Sequence, residues 1–422
     1  MRYAPAILLG RVVRKLARWR KPGGGSAIPG LVVNRVAPGF LPQTLNSFPG
    51  GLVIVTGSSG KSTTTKMLVA ALRAHGMVVF TNQSTANISQ GLTSALLEQA
   101  SLSGRIAGDI AVLEMDEGHG ALISGSLKPR VVALTNVMVD QIDRFHDSDM
   151  VAAMLARIAA RATGTVVVNA DDQYLTDLAE GLGGTAAIAR YGVSAEVLKA
   201  NPRGLGYSVT TVDRLDAADG MLLTSVQGRR AVVSIGGAEY PFGLPARGTH
   251  YAVDALTALC TARAALGDRF DLVLALAAIS AIPPVFGRGE IVTVRGEQVE
   301  FVLVQNPASF QLNVDSLEPG TEQILIAIGS DVRDPSYFWP VNTSGLARVR
   351  IATGSKAHDI ALQLAYDNVV VDRIEPDLGL ALDTFLALPK PMTGLKTIIF
   401  SADSMRRTRA HLRLVTNKEE QG

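Results

Sequence analysis

The stretch GLVIVTGSSGKSTTTKMLVAAL, residues 51–72, joins a short apolar run, a turn rich in glycine and serine, and a run of helical character. The apolar run predicts a buried strand, and the glycines allow a tight turn whose N–H groups converge on one point. The helix that follows adds the positive end of its dipole at the same point. The sequence therefore predicts a phosphate-binding turn between a strand and a helix.

The residues of this turn indicate which phosphate compound it binds. Lys61 supplies a positive charge for β- and γ-phosphates, and Ser62 offers a hydroxyl to Mg²⁺. Val55 occupies the first glycine position of the G-x-x-x-x-G-K-[ST] pattern, so the match to that pattern is incomplete. The strand, the GKS triplet and the helix nevertheless occur together, which favours ATP over a turn without a ligand. The predicted nucleotide-binding residues of the turn are Gly57, Ser58, Ser59, Gly60, Lys61, Ser62 and Thr63.

The composition is that of a folded globular protein. The chain has 422 residues, 47% of them hydrophobic, which is enough for two or three domains with cores. Lys and Arg number 40 against 38 Asp and Glu, and the formal charge of +2 argues against nucleic acid as a partner. The single cysteine, Cys260, lies in an apolar helical pattern and is expected to be a buried structural thiol. One thiol cannot build a cysteine zinc cluster, so no zinc is expected.

Residues 1–45 are predicted to be a basic amphipathic segment with a linker. The sequence MRYAPAILLGRVVRKLARWRKPGGGSAIPG, residues 1–30, combines basic and apolar residues at helical spacing and then a glycine run. One interpretation is peripheral contact with an anionic membrane surface, and the other is a helix packed on its own protein with a solvated basic face. A signal peptide is not expected, and no run approaches the roughly 18 apolar residues of a membrane span.

Two further regions alternate short apolar runs with helical stretches. Residues 46–285 are predicted to be an ATP-binding α/β domain with a parallel sheet covered on both faces. Within it, residues 185–248 change to alternating, glycine-punctuated segments typical of antiparallel hairpins, which indicates a β-rich insert. After a proline-rich joint, residues 286–422 are predicted to form a smaller C-terminal α/β domain.

The turn TGSSGKST resembles the ATP loop of the Mur ligase superfamily, and three other segments agree with that family in order and spacing. They are VLEMDE at residues 112–117, LTNVMVDQIDRF at 134–145 and VVVNADD at 166–172. The resemblance implies a Mur ligase-like fold in which Glu114 carries Mg²⁺ and Asn169 and Asp171 lie on the nucleotide side. Asp116 and Glu117 also follow the strand that ends at Glu114, and one of these three acids is expected to be a plain solvated side chain.

More segments narrow the resemblance to the MurT family, the ligase-like subunits of lipid II isoglutaminyl synthases. They are GGGSAIPGLVVNRVAPGFL, VLEMDE, DQIDR, FGRGE, QNPASF, DVRDPSYFW and TGSKAHDIAL, between about residues 23 and 370. The resemblance implies ATP-dependent amidation, through an acyl phosphate, of the D-glutamate α-carboxylate in the peptidoglycan stem peptide. It also implies a GatD-like glutaminase partner that delivers ammonia and a lipid-linked peptidoglycan precursor as substrate. The implied location is cytoplasmic, at the inner face of the membrane if the N-terminal segment contacts lipid.

The same resemblance assigns two more catalytic residues. Arg288 in FGRGE matches an arginine at the domain joint that neutralises the phosphates, so domain closure completes the site. Asp334 in DVRDPSYFW matches an aspartate that completes the partner's catalytic cysteine and histidine across the interface. From the residues alone, Arg288 also fits a surface arginine of the hinge and Asp334 a turn opener, so both alternatives stay open.

Departures from the family pattern keep other functions open. Gln305 replaces the family's lysine before Asn-Pro-Ala, and in GTHYAVDAL either His250 or Asp254 would have to serve in place of an asparagine beside the adenine. A catalytically reduced ATP-binding scaffold would explain both changes. A Mur-type ligase that joins an amino acid to another carboxylate is the second alternative. Gln141, at a position where such ligases usually have histidine, and the segment DVRDPSYFW count against it.

Overall fold

The computed structural model shows a chain built around two β-sheets. It describes residues 2–20, 27–82, 88–138, 147–184, 186–211, 215–216, 220–284, 287–333 and 338–414. Within these ranges one sheet has nine strands and the other has six. Helices cover both faces of each sheet, as the alternation of apolar runs and helical stretches predicts. The α/β fold class with a second, C-terminal sheet is confirmed.

The strands of the first sheet are β1 (Leu52–Thr56), β2 (Val79–Thr81), β3 (Ile110–Glu114), β4 (Val131–Leu134), β5 (Thr165–Asn169), β6 (Ala187–Val193), β7 (Gly220–Gln227), β8 (Arg230–Ile235) and β9 (Ala238–Gly243). Their order in the sheet is β2-β3-β1-β4-β5-β6-β7-β8-β9. The pairs from β2 to β7 are parallel, and β8 and β9 add on antiparallel. The phosphate turn after β1 therefore lies near the middle of the parallel part.

The helices around this sheet are α1 (Ala4–Arg20), α2 (Ile28–Val36), α3 (Phe40–Leu45), α4 (Lys61–Ala74), α5 (Ser89–Gln99), α6 (Glu117–Ile123), α7 (Ser148–Ala159), α8 (Gln173–Gly181), α9 (Ala195–Ala200), α10 (Thr249–Leu266) and α11 (Leu272–Ala281). Successive residues of β1 point to opposite faces. Val53 and Val55 pack in a core with α4, α10 and α11, whereas Leu52 and Ile54 pack in a second core with α1, α3, α5 and α7. Burial on both faces explains why β1 is apolar from Leu52 to Val55.

The glycine-punctuated region 185–248 extends the same sheet. The antiparallel hairpins that its sequence predicts are β7 to β9. β6 instead runs parallel to β5, and β7 runs parallel to β6. The first part of this region thus continues the parallel sheet, because α9 and its flanking loops provide the crossover from β6 to β7.

The buried helix α10 carries the single cysteine. Cys260 is 4% exposed and packs in the core that contains Val53 and Val55. Burial raises the pKa of its thiol to about 12, so the thiol is protonated and unreactive at neutral pH. This is the buried structural cysteine that the sequence predicts.

The second sheet contains β10 (Arg288–Val294), β11 (Glu297–Leu303), β12 (Ile324–Ala327), β13 (Arg348–Thr353), β14 (Val370–Glu375) and β15 (Lys396–Phe400), with α12 (Pro307–Asp315), α13 (Ala357–Tyr366), α14 (Leu378–Leu386) and α15 (Ala402–His411). Its order is β10-β11-β15-β12-β13-β14. Only the β10–β11 hairpin among these described pairs is antiparallel. β10 begins at Arg288, so this arginine stands where the chain enters the second sheet.

The N-terminal helix packs on the first sheet. Tyr3 and Ile7 are buried in the same core as Phe40 and Ile54. This packing is one of the two interpretations of the basic segment, and it leaves the opposite face of α1 outward. Among the described residues, no helix combines the length and the apolar character that crossing a bilayer requires.

Candidate active site

Two glycines shape the predicted phosphate loop between β1 and α4. Gly57 and Gly60 have φ angles of 134° and 81°, which side-chain-bearing residues rarely adopt. A Cβ atom at Gly57 would lie 2.2 Å from Thr135 Oγ1, and one at Gly60 would lie 2.1 Å from Asp254 Oδ1. Both backbone conformation and space therefore require glycine at these positions.

The segment after β4 holds the loop in place. Ser58 N donates to Asn136 O at 3.0 Å, and Ser59 N donates to Asn136 Oδ1 at 2.9 Å. Met138 N donates to Ser58 Oγ at 3.1 Å. Asn136 was not among the site residues predicted from the sequence. The available signal was its place directly after a buried strand, since the carboxyl ends of neighbouring parallel strands meet at one edge of the sheet.

The ammonium of Lys61 lies over the loop. Lys61 Nζ donates to Gly57 O at 2.5 Å and to Ser58 O at 3.1 Å, and it pairs with Glu117 Oε2 at 3.1 Å. Phosphate oxygens would offer this ammonium charged acceptors in place of the two carbonyls. The side chain is therefore oriented before a nucleotide arrives.

The two predicted Mg²⁺ ligands contact each other. Ser62 Oγ donates to Glu114 Oε1 at 2.9 Å. Asn82 fixes the backbone of Glu114 at the end of β3, because its side chain bonds both Glu114 N and Glu114 O, at 2.9 and 3.0 Å. Mg²⁺ prefers oxygen ligands, and it is usually held by one or two carboxylates together with substrate phosphates. This hydroxyl and carboxylate fit that chemistry.

The expectation of a solvated acid at the end of β3 was wrong. Glu114, Asp116 and Glu117 are 5%, 7% and 1% exposed. Asp116 caps α6 by accepting from His119 N, and Glu117 pairs with Lys61. The strand pattern could not show this burial, because α6 starts immediately after β3 and folds both acids inward.

Arg288, at the start of β10, contacts helix α4 of the first domain. Its Nη1 donates to Thr63 Oγ1 on α4 at 3.3 Å, and its Nη2 donates to Gln305 Oε1 at 3.1 Å. Gln305 is thus a partner of this guanidinium. The contact with Thr63 brings the arginine of the joint to the phosphate loop, whereas the alternative prediction was a surface arginine of the hinge.

A cleft between the sheets extends from the loop. Gly60, Thr63, His250, Asp254 and Arg288 are among the residues that line it. Both ring nitrogens of His250 are buried with no partner among the described residues. Burial, and then the charge of Arg288, lower the pKa of His250 to about 4. The neutral imidazole therefore offers one donor and one acceptor.

Asp254 is mostly protonated at neutral pH. It is 7% exposed, and burial raises the pKa of its carboxyl to about 8 against the opposing effects of Arg288, Thr64 and Thr63. A protonated carboxyl beside Gly60 does not repel phosphate, whereas an ionised carboxyl does. Because the pKa of Asp254 in the folded protein lies above its ordinary value of 3.8, the native state also loses stability as pH rises from that value through about 8.

We expect nucleotide affinity to fall at alkaline pH in a way that Asp254→Asn removes. Between pH 7.5 and 9 the wild type should lose affinity for a fluorescent ATP analogue by about 5-fold or more, since ionisation places a charge at the loop. Asp254→Asn is neutral throughout and should change far less. Titrations of both proteins at the two pH values measure this difference, and parallel pH profiles would contradict the assignment.

Asn169 and Asp171 are buried at the carboxyl end of β5. Asn169 Oδ1 accepts from Asp171 N at 3.1 Å, and Asp171 Oδ2 accepts from Val193 N at 2.8 Å. These bonds tie β5 to β6. The nucleotide-binding role of both residues stays a prediction. Asp334 and Gln141 lie outside the described residues.

The chain is similar to known families and proteins. A family model of the Mur ligase middle domain matches residues 55–262, and a model of the MurT ligase C-terminal domain matches residues 303–397. The "Lipid II isoglutaminyl synthase (glutamine-hydrolyzing) subunit MurT" of Streptococcus pneumoniae is 28% identical over 388 residues, which cover 83% of this chain and 84% of that protein. Its Staphylococcus aureus counterpart is 29% identical over 178 residues, which cover 42% of this chain and 39% of that protein.

The fold has a counterpart among solved structures. The MurF ligase from Thermotoga maritima, in a complex with ADP, superposes with a TM-score of 0.64 at 17% identity. The superposition covers 90% of this chain and 82% of that one.

A central parallel sheet with a glycine–lysine phosphate loop, joined to a second parallel-sheet domain, defines the Mur ligase class of folds. Both family models match in order along one sequence, so the chain combines a Mur ligase middle domain with a MurT ligase C-terminal domain.

Proposed function

We propose that this protein is the synthetase subunit of a lipid II isoglutaminyl synthase. It uses ATP to amidate the D-glutamate α-carboxylate of the peptidoglycan stem peptide to D-isoglutamine, with ammonia from a GatD-like glutaminase subunit. The observation that carries this proposal is the order, in one chain, of a Mur ligase middle domain and a MurT C-terminal domain. The reaction takes place in the cytoplasm, at the inner face of the membrane that carries the precursor.

The first step activates the carboxylate. One carboxylate oxygen attacks the γ-phosphorus of ATP, the bond to the β–γ bridging oxygen breaks, and ADP leaves. Phosphoryl transfer depends mainly on positioning and charge neutralisation. Lys61, at the start of α4, contacts Gly57 of the loop. Arg288, from the second domain, contacts Thr63 on the same helix. Together they bind the phosphate oxygens and hold the γ-phosphoryl group in line with the carboxylate.

Ser62 and Glu114 are the residues that would hold Mg²⁺. Their side-chain oxygens already lie 2.9 Å apart, and Asn82 keeps the strand end that carries Glu114 in place. When bound, the ion neutralises part of the charge on the β- and γ-phosphates.

The second step forms the amide. Ammonia attacks the carbonyl carbon of the acyl phosphate, the carbon–oxygen bond to phosphate breaks, and inorganic phosphate leaves as the nitrogen loses a proton. Gln305 is neutral where the family has lysine, but its Oε1 orients the Arg288 guanidinium. Arg288 therefore supplies the positive charge at this end of the cleft.

Two residues of α10 suit the recognition of adenine. His250 is neutral and offers one donor and one acceptor, and protonated Asp254 offers the same pair. An asparagine side chain likewise offers a hydrogen-bond donor, its NH₂ group, and an acceptor, its carbonyl oxygen. Either side chain can thus replace the family's asparagine.

Co-expression with a GatD-like glutaminase tests this proposal. The purified complex should convert lipid II to its amidated form with ATP and glutamine, as measured by mass spectrometry. A product enlarged by an amino acid residue would identify an amino-acid ligase instead. ATP turnover that stays absent with substrate, partner and Mg²⁺ present would identify a scaffold.

We expect Asp334→Asn to separate the two half-reactions. If Asp334 orients the partner's catalytic histidine, the variant should lose glutamine-dependent amidation by about 10³-fold or more. A high concentration of ammonium bypasses glutamine hydrolysis and should restore amide formation. Activity with both nitrogen sources is the measurement.

Two results would contradict this role of Asp334. Failure of ammonium to restore the product would assign Asp334 to the synthetase chemistry. Full glutamine-dependent activity in the variant would leave it as a turn opener. Asp359→Asn, an acid on α13 of the same domain, is the matched control.

A further inference from the structure

The N-terminal helix presents an apolar face to the outside of the protein. Leu8, Val12 and Leu16 recur every four residues along α1 and are 51%, 56% and 58% exposed, and Leu9 beside them is 42% exposed. On a helix, this spacing places Leu8, Val12 and Leu16 in one stripe. A helix that packs on a globular protein ordinarily turns such a stripe inward.

The inward side of α1 is independently anchored, so the orientation of the stripe is set by the fold. A Cβ atom at Gly10 would lie 2.7 Å from side-chain atoms of both Leu97 and Val33, so α1 approaches α5 and α2 closely. Arg11 donates to the carbonyl oxygens of Leu97 and Ala100. Arg14 pairs with Glu98 on α5.

The apolar face continues onto the next helix. Val36 of α2 is 57% exposed and lines the same surface depression as Leu9, together with Arg2 and Pro5. We name the outward surface of Leu8, Leu9, Val12, Leu16 and Val36 the N-terminal face.

The segment that carries the N-terminal face has charges of one sign. The first acidic residue of the chain is Glu98, so residues 1–45 contain no Asp or Glu. The same residues include eight Lys and Arg, whereas the formal net charge of the whole chain is only +2. Among the described side chains, Arg2, Lys15 and Arg35 are exposed on or beside this face. Apolar side chains ringed by basic ones complement an anionic lipid surface, where acyl chains lie beneath negative headgroups.

We propose that the N-terminal face docks the protein on a membrane that contains anionic lipid. Leucine and valine side chains enter the headgroup layer while Arg2, Lys15 and Arg35 contact lipid phosphates. A protein partner would explain the apolar stripe but not a segment of 45 residues without a single acid. The docking itself follows from exposure and charge, and only its purpose, bringing the cleft to a lipid-linked substrate, rests on the proposed function.

Vesicle co-sedimentation of the full chain tests the docking. The wild type should bind vesicles of phosphatidylcholine mixed with phosphatidylglycerol, bind phosphatidylcholine vesicles at least 10-fold more weakly, and be released by high salt. Leu8→Asp/Val12→Asp should lower binding at least 10-fold. Lys15→Gln/Arg35→Gln should lower it about fivefold for each charge removed.

A matched control uses two exposed apolar residues elsewhere. Val273 and Met392 are 65% and 95% exposed, and Val273→Asp/Met392→Asp should bind vesicles like the wild type. No binding by the wild type, or equal losses in the control, would overturn the proposal. A wild-type dimer in light scattering that Leu8→Asp/Val12→Asp converts to monomer would identify a second copy of the chain as the occupant instead.

The readout separates this inference from the proposed function. Vesicle binding requires no turnover, so it is measured whether or not lipid II is the substrate. Bound protein that fails to amidate lipid II with its glutaminase would overturn the function and leave the docking intact. Amidation by a protein that binds no vesicles would do the reverse.

Discussion

Lys61→Ala should reduce ATP-dependent product formation by about 10³-fold or more. Lys61 is the lysine of the phosphate loop, and its Nζ lies 2.5 Å from Gly57 O and 3.1 Å from Ser58 O. Alanine leaves the loop backbone in place but removes the charge that, in the proposed mechanism, binds the phosphates. Turnover of ATP and formation of the product, measured with saturating partner and substrate, give the effect. Ammonium should not rescue this variant, because it forms no acyl phosphate.

The fold of this variant needs its own control. Glu117 is 1% exposed and pairs with Lys61, so alanine leaves a buried carboxylate without this partner. Removing one partner of a buried pair costs about 3–5 kcal/mol. Lys61→Ala/Glu117→Gln should recover most of the thermal stability and none of the activity. Lys128→Ala removes an exposed lysine and should change neither. Near-normal turnover in Lys61→Ala would refute the phosphate-site assignment.

Arg288→Ala should lower kcat by about 10²- to 10³-fold with a smaller change in the KM for ATP. The guanidinium joins Thr63 of the loop helix to Gln305 of the second domain, so its loss removes a link across the cleft and, in the proposed mechanism, a contact to the phosphates. Lysine keeps the charge but not the two-pronged geometry. Arg288→Lys should therefore recover only part of the rate.

Steady-state kinetics with Arg373→Ala as the control test this prediction. Arg373 lies on β14 of the same domain and is largely exposed, so its removal should leave kcat unchanged. An Arg288→Ala enzyme that retains wild-type kcat would return Arg288 to the alternative prediction, a hinge residue without a catalytic role.

The phosphate loop shows how far local sequence patterns reach. A strand, two glycines, a lysine and a helix start are all determined by neighbours within residues 51–72, and the structure has β1, the turn and α4 in that order. The periodicity of the apolar runs likewise predicts sheets covered by helices, because burial on both faces requires continuous apolar strands.

The contacts that complete the candidate site could not be predicted in this way. Asn136 holds Ser59 across 77 positions of sequence, and Arg288 reaches Thr63 across 225. Such pairs depend on strand order and on the angle between domains, which no local pattern specifies. For the same reason, the three acids after β3 could be located by sequence, but their shared burial could not.

Residue type and short-range spacing are enough to predict the phosphate loop, the two α/β regions and the basic segment without acids. The outward face of α1, the orientation of Arg288 by Gln305 and the raised pKa of Asp254 beside Gly60 follow from the fold and could not be read from local patterns. Those properties arise from burial and from charges that are distant in sequence. A side chain's solvent exposure and pKa depend on what the fold brings next to it.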